Sequence, residues 1–220
     1  MIKRFRDINF PLTREYSSSS DRCPLEFYLK AFPISKRIDL FLGYFSSNVF
    51  SVLAPAMARF IHNGGKMRII TNHFLKIDDK LNLIENVDVR NQDFIEFISE
   101  DLEELMKSLD PNSIHFYDCL KYLINKDRLI IQPVILKNGD MVHRKEMVLF
   151  DGFDTISTNG SINFTYSALT KNDESFIVDL PWDSESNYGP KIRIEEREKR
   201  FNSVIKGENS SYKLLSSSGI

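Results

Sequence analysis

The sequence predicts an α/β protein in one domain, a mixed β-sheet flanked by helices on both faces. Two observations carry that expectation. Short apolar runs rich in strand formers alternate along the chain with segments of helical period, the pattern of a layered α/β architecture. The 220 residues, 42% of them hydrophobic, suffice for one substantial core and fit one domain better than two.

The elements follow in order. "YSSSSDR", residues 16–22, is a polar loop, and "RIDLFLGYF", residues 37–45, is an almost unbroken apolar run that reads as a buried strand. In residues 46–66, Val49, Leu53, Met57, Phe60 and Ile61 recur near a 3.6 period between Ser/Asn caps and Asn63-Gly64-Gly65, the marks of a helix. "MRIIT", residues 67–71, supplies the next strand, so this stretch forms a right-handed βαβ unit. Residues 92–109 place Phe94, Ile98, Leu102, Leu105 and Leu109 on one stripe of a surface helix, and a further helix is expected around residues 116–124. Strand "RLIIQPVIL", residues 128–136, is followed by Asn138-Gly139, a type I′ turn signal, so the run "MVHRKEMVLF", residues 141–150, reads as the second strand of a hairpin. "TISTNGSIN", residues 155–163, is the next strand, "FTYSAL" a helical turn, "ESFIVDLPW" another strand, and "KIRIEEREKRFNSVI" a charged helix. Residues 1–24 read as an extension, 25–207 as the domain, and 208–220 as a flexible tail or linker.

Charge and cysteines narrow the class of function. Lys plus Arg, 29, nearly balances Asp plus Glu, 31, so a polyanion would have to bind a local patch. Lys3, Arg4, Arg6, Arg22, Lys36, Arg37, Lys66 and Arg68 are scattered and single out no nucleic-acid contact. Neither an N-terminal apolar stretch nor a run long enough to span a bilayer is present, and Cys23 and Cys119 are solitary, which together lead to the expectation of a cytoplasmic protein without membrane attachment.

The polar residues inside the apolar runs carry the chemistry. Strand alternation puts His143 and Lys145 on one face and Arg144 on the other, with Met141, Met147 and Leu149 beside the first two. Ser161 and Asn163 share a face of the following run. Polar groups partly buried in this way need partners, since each orphan costs about 1–3 kcal/mol. A neutral imidazole is a nucleophile toward phosphorus, an ammonium neutralises phosphate oxygens, and Ser and Asn side chains donate to developing charge. Glu174, at the head of the next strand, is placed to accept the imidazole's second N–H. These residues make a phosphoryl-transfer site with no metal and no cofactor. His62, His73 and His115 read as helix-end or loop residues, and "NHFLK", with His73 and Lys76, has the wrong spacing to repeat the motif.

On His143-x-Lys145, Asp151 and Gly160-Ser161-x-Asn163, the chain resembles the phospholipase D superfamily over residues 25–180. Five residues separate Lys145 from Asp151 where that pattern has four, so Asp151 is read as a structural turn residue with Gly152. The resemblance implies His143, Lys145, Ser161, Asn163 and Glu174 as catalytic residues. It also implies, from the single motif, a bacterial endonuclease acting on DNA as a homodimer with a shared active site, of the kind found in restriction or helicase-linked systems. One suitable histidine per chain agrees with two chains supplying nucleophile and acid, with "FTYSAL" and Trp182 beside the dimer contact. A phospholipid headgroup hydrolase and a non-catalytic dimerisation or DNA-binding module remain the alternatives.

Overall fold

A computed structural model describes residues 4–45, 49–72, 122–123, 126–183 and 189–215. Within them, strands β1 (Glu15–Ser17), β2 (Arg37–Leu42), β3 (Lys66–Thr71), β4 (Leu129–Leu136), β5 (Lys145–Phe150), β6 (Thr155–Gly160), β7 (Ser175–Asp179) and β8 (Tyr212–Leu214) form one mixed sheet. Its order is β1-β7-β6-β5-β2-β3-β4-β8. The β2–β3 and β3–β4 pairs are parallel and the others antiparallel.

Helices cover both faces. On one, Ile38, Leu40, Leu42, Met67, Ile69, Met147, Leu149, Ile156, Phe176 and Val178 meet α1 (Pro24–Ala31), α2 (Val49–Val52), α3 (Ala54–His62) and α4 (Tyr166–Thr170) in the larger core. Strand alternation puts the odd residues of β5 on this side. The opposite face packs on α5 (Pro190–Ile205), where Phe41, Ile70, Val134, Val142, Phe201 and Val204 make a smaller core. Beside that smaller core lies a layer of ion pairs. Asp39 accepts two bonds of 2.7 Å from Arg68, Asp179 pairs with Arg193 and Arg197, and Glu146 pairs with Arg144 and Arg200. Removing one member would strand a buried charge, so α5 is held in a fixed position over the sheet.

Several expectations change. The helix expected over residues 46–66 is two helices, broken at Leu53, because Pro55 lacks an amide hydrogen and stands in the first turn of α3. Residues 141–150 do not form a hairpin with β4, since β2 and β3 lie between β4 and β5. The turn is not type I′ either. Only Gly139 has positive φ, +87°, and Gly139 N–H donates to Leu136 O at 2.9 Å, the three-residue arrangement of a turn closed by a left-handed glycine. Strand β5 begins at Lys145 and β6 ends at Gly160, so His143, Ser161 and Asn163 occupy connections rather than strands.

Both chain ends differ from the expectation as well. Phe5 and Tyr16 are fully buried, Phe10 nearly so, and β1 extends the sheet beside β7, so residues before 25 complete the core. Past residue 207, β8 pairs with β4. The helix expected over residues 92–109, along with His73, Lys76, His115 and Cys119, lies outside the described residues, as does most of the one expected over 116–124.

Candidate active site

All five candidate residues lie at one end of the sheet, where β2 and β6 finish and β5 and β7 begin. Parallel β2 and antiparallel β5 meet there with Leu42 opposite Lys145. Beyond that pair, Gly43 N–H donates to Arg144 O at 2.7 Å. The chain just before Lys145 crosses directly over Gly43, where an added Cβ would stand 2.8 Å from Val142 O and 3.3 Å from His143 Cα. A glycine inside an apolar strand run often marks such a close backbone approach. That signal was present in "LFLGYF" and identifies Gly43 as a residue that seats His143.

The next residue seats Asn163. Tyr44 N–H donates to Asn163 Oδ1 at 3.2 Å, and Phe45 bridges to Phe164 with stacked rings 6.2 Å apart. Gly43 and Tyr44 thus bring His143 and Asn163 to the same strand end, although 19 residues separate the two in sequence.

Ser161 and Glu174 form the second half. Gly160 lies so close to β7 that a Cβ there would fall 2.1 Å from Ser175 O, which keeps the β6 and β7 backbones in contact at this end. Ser161 Oγ donates to Glu174 Oε2, and Ser175 N–H donates to Ser161 Oγ at 3.1 Å. Asn172 Nδ2 donates to Glu174 Oε1 at 3.3 Å. The serine-rich loop before α1 joins in: Ser18 N–H donates to Glu174 O at 2.9 Å, and Glu174 N–H donates to Ser18 Oγ at 3.2 Å. Ser18 had no signal in the sequence, because its contacts depend on the pairing of β1 with β7, whereas the Asn172 contact is local to the loop before β7.

Lys145 carries the site's electrostatics. Its Nζ is buried and finds no hydrogen-bond partner among the described residues. Desolvation lowers its pKa, and the negative charge of Glu174 opposes that shift. Burial pushes the Tyr28 phenol upward, and Glu174 adds to the effect. His143 is exposed and makes no hydrogen bond to a described residue. The contact expected from Glu174 to the imidazole is not formed; its carboxylate accepts from Ser161 and Asn172 instead.

Asp151 belongs elsewhere. One carboxylate oxygen accepts from Phe5 N–H at 2.7 Å and the other from Phe153 and Asp154 N–H, each at 2.8 Å, so it ties the N-terminal segment to a turn in which Gly152 has φ +102°. At about 3.3 Å per strand residue it stands about 20 Å from Lys145, at the opposite end of β5. Among the described residues, no group of three or more His, Cys, Asp or Glu side chains is placed to hold a metal ion.

The eight-stranded mixed sheet with helices on both faces is an α/β fold of one domain, and solved structures share it. The chain is similar to phosphatidylserine synthase of Haemophilus influenzae Rd KW20, with TM-score 0.52 and 14% identity over 91% of this chain and 39% of the synthase. It is also similar to NucT from Helicobacter pylori, with TM-score 0.48 and 13% identity over 87% of this chain and 94% of NucT. Nuc from Salmonella typhimurium, a phospholipase D family member, gives TM-score 0.46 and 16% identity over 87% of this chain and 92% of Nuc. No family model matches the sequence, and no curated protein matches it.

Proposed function

We propose that the chain is a phosphodiesterase that cleaves DNA through a phosphohistidine intermediate without a metal. The observation that carries this reading is the buried ammonium of Lys145, unpartnered among the described residues, two positions along the chain from an exposed imidazole. An isolated buried cation is costly, and an anionic phosphate oxygen beside it would offset that cost.

In the reading, a neutral nitrogen of His143 attacks phosphorus. The P–N bond forms as the P–O bond to the leaving group breaks, and the departing oxygen takes a proton from an acid on the far side. Water then attacks the phosphohistidine, its proton passes to that same group, and the imidazole is released with a phosphomonoester. Lys145 and Asn163 stabilise the charge on the non-bridging oxygens, and Ser161 holds Glu174, whose charge opposes the effect of burial on the Lys145 ammonium. The acid is a second His143, from another copy of the chain in a two-fold dimer with one shared site. Exposed Met141, on the connection that carries His143, and Tyr166, at the start of α4 just past Asn163, supply apolar surface for that contact.

A cytoplasmic location is part of the same reading. Among the described residues no helix is long and apolar enough to cross a membrane, and Cys23 is a free thiol.

The test is cleavage of plasmid and oligonucleotide DNA in excess EDTA, with His143→Ala as control. Cleavage that survives chelation and disappears in a folded His143→Ala protein is the expected result. Strict dependence on Mg²⁺, or a fully active variant, contradicts the reading. Hydrolysis of phospholipid headgroups with DNA left intact assigns a different substrate to the same residues.

A further inference from the structure

Four buried side-chain atoms among the described residues lack a hydrogen-bond partner: Tyr16 Oη, Arg37 Nε, Thr71 Oγ1 and Lys145 Nζ. Arg37 Nε lies 2.9 Å from Asp39 Oδ2, so its charge is matched even though the angle is poor for a hydrogen bond. Tyr16 sits in an aromatic cluster with Phe27 and Phe176 on the edge strand β1, three strands from β5. The remaining two belong together.

Thr71 is the last residue of β3 and pairs with Leu42, and Leu42 pairs on its other side with Lys145. The three residues form one row across the sheet, and residues so paired project from the same face. Leu42, Ile69 and Met147 in the larger core identify that face as the one carrying α1 to α4. At about 4.8 Å between strands, the Cα atoms of Thr71 and Lys145 stand about 10 Å apart. The Leu42 side chain projects between them, so an anion held by both would lie beside Leu42 at the strand ends, where the four-carbon stem of the lysine gives it reach. Valine at position 71 would keep the shape of threonine and bring no unmatched hydroxyl into the core, so the hydroxyl is a local cost without a local return.

We propose that Thr71 is a second anchor of the anion site, its hydroxyl donating to an oxygen of the phosphoryl group whose charge Lys145 neutralises. The identification of that anion as the phosphate of the substrate rests on the phosphodiesterase reading. The row of two unpartnered groups does not depend on it.

Inorganic phosphate is the probe, titrated into the full chain by calorimetry, with inhibition of DNA cleavage by phosphate measured in parallel. Thr71→Val is expected to weaken phosphate binding about tenfold or more, the effect of losing one hydrogen bond to a charged group. Its melting temperature should not fall. Thr71→Ser should restore binding, and Lys145→Met should remove it. Unchanged affinity in Thr71→Val overturns the proposal, and so does a loss that Thr71→Ser does not restore, which marks a packing role. If the wild type cleaves DNA while Thr71→Val binds phosphate normally, only the Thr71 assignment falls. If the wild type neither binds phosphate nor cleaves DNA, the phosphodiesterase reading falls with it.

Discussion

Gly43 and His143 are in backbone contact: a Cβ on residue 43 would stand 3.3 Å from His143 Cα and 2.8 Å from the carbonyl oxygen before it. The hydrogen bond from Gly43 N–H to Arg144 O prevents the two segments from separating freely. Gly43→Ala should therefore displace His143 by a fraction of an ångström to about 1 Å while leaving the core intact. Misplacement of a reacting group on that scale costs about a hundredfold in turnover. The check is DNA cleavage beside urea denaturation, and an alanine variant with normal turnover would mean that this contact does not position the imidazole.

Asp151 gives the converse case. Its carboxylate satisfies three backbone amides, from Phe5, Phe153 and Asp154. Asp151→Ala leaves these donors without their charged acceptor and should destabilise the fold by about 2–4 kcal/mol, judged from the cost of losing hydrogen bonds to a charged group. Activity per folded molecule should stay near that of the wild type, because the site lies at the other end of β5. Stable protein with lost turnover would return Asp151 to the site.

The lowered pKa of Lys145 has a sign that stability can report. Between its folded pKa and its unfolded value near 10.4, the unfolded chain binds more protons than the folded one, so this group makes stability rise as pH rises through that window. The Tyr28 phenol, raised by burial, acts oppositely above about pH 10, where only the unfolded state loses its proton. Subtracting the Lys145→Met profile from the wild-type profile isolates the lysine. The difference should favour the methionine variant at neutral pH and shrink toward pH 10. A difference independent of pH would show that burial does not disfavour the ammonium.

One histidine per motif makes the shared site testable by mixing. In purified one-to-one dimers of wild-type and His143→Ala chains, activity should fall near zero, since the single site then lacks either nucleophile or acid. Half the activity, or a fully active monomer, would mean that each chain finds its acid within itself.

Residue chemistry and local period were legible from the sequence, because both are properties of neighbours in the chain. They announced the apolar runs of β2 to β7, helix α5 and the helical turn at α4, and they put His143, Ser161 and Asn163 within strands that in fact stop short of them. The tertiary structure decided which strands are neighbours. The runs at 128–136 and 141–150 look like a hairpin because they are adjacent and apolar, yet β5 pairs with β2, since burying both faces of a sheet depends on every other element present. The same non-local choice drew Phe5, Phe10 and Tyr16 into the core and turned Glu174 toward Ser161 instead of His143. It also set Thr71 level with Lys145 across Leu42, a relation between residues 74 positions apart that no local pattern encodes.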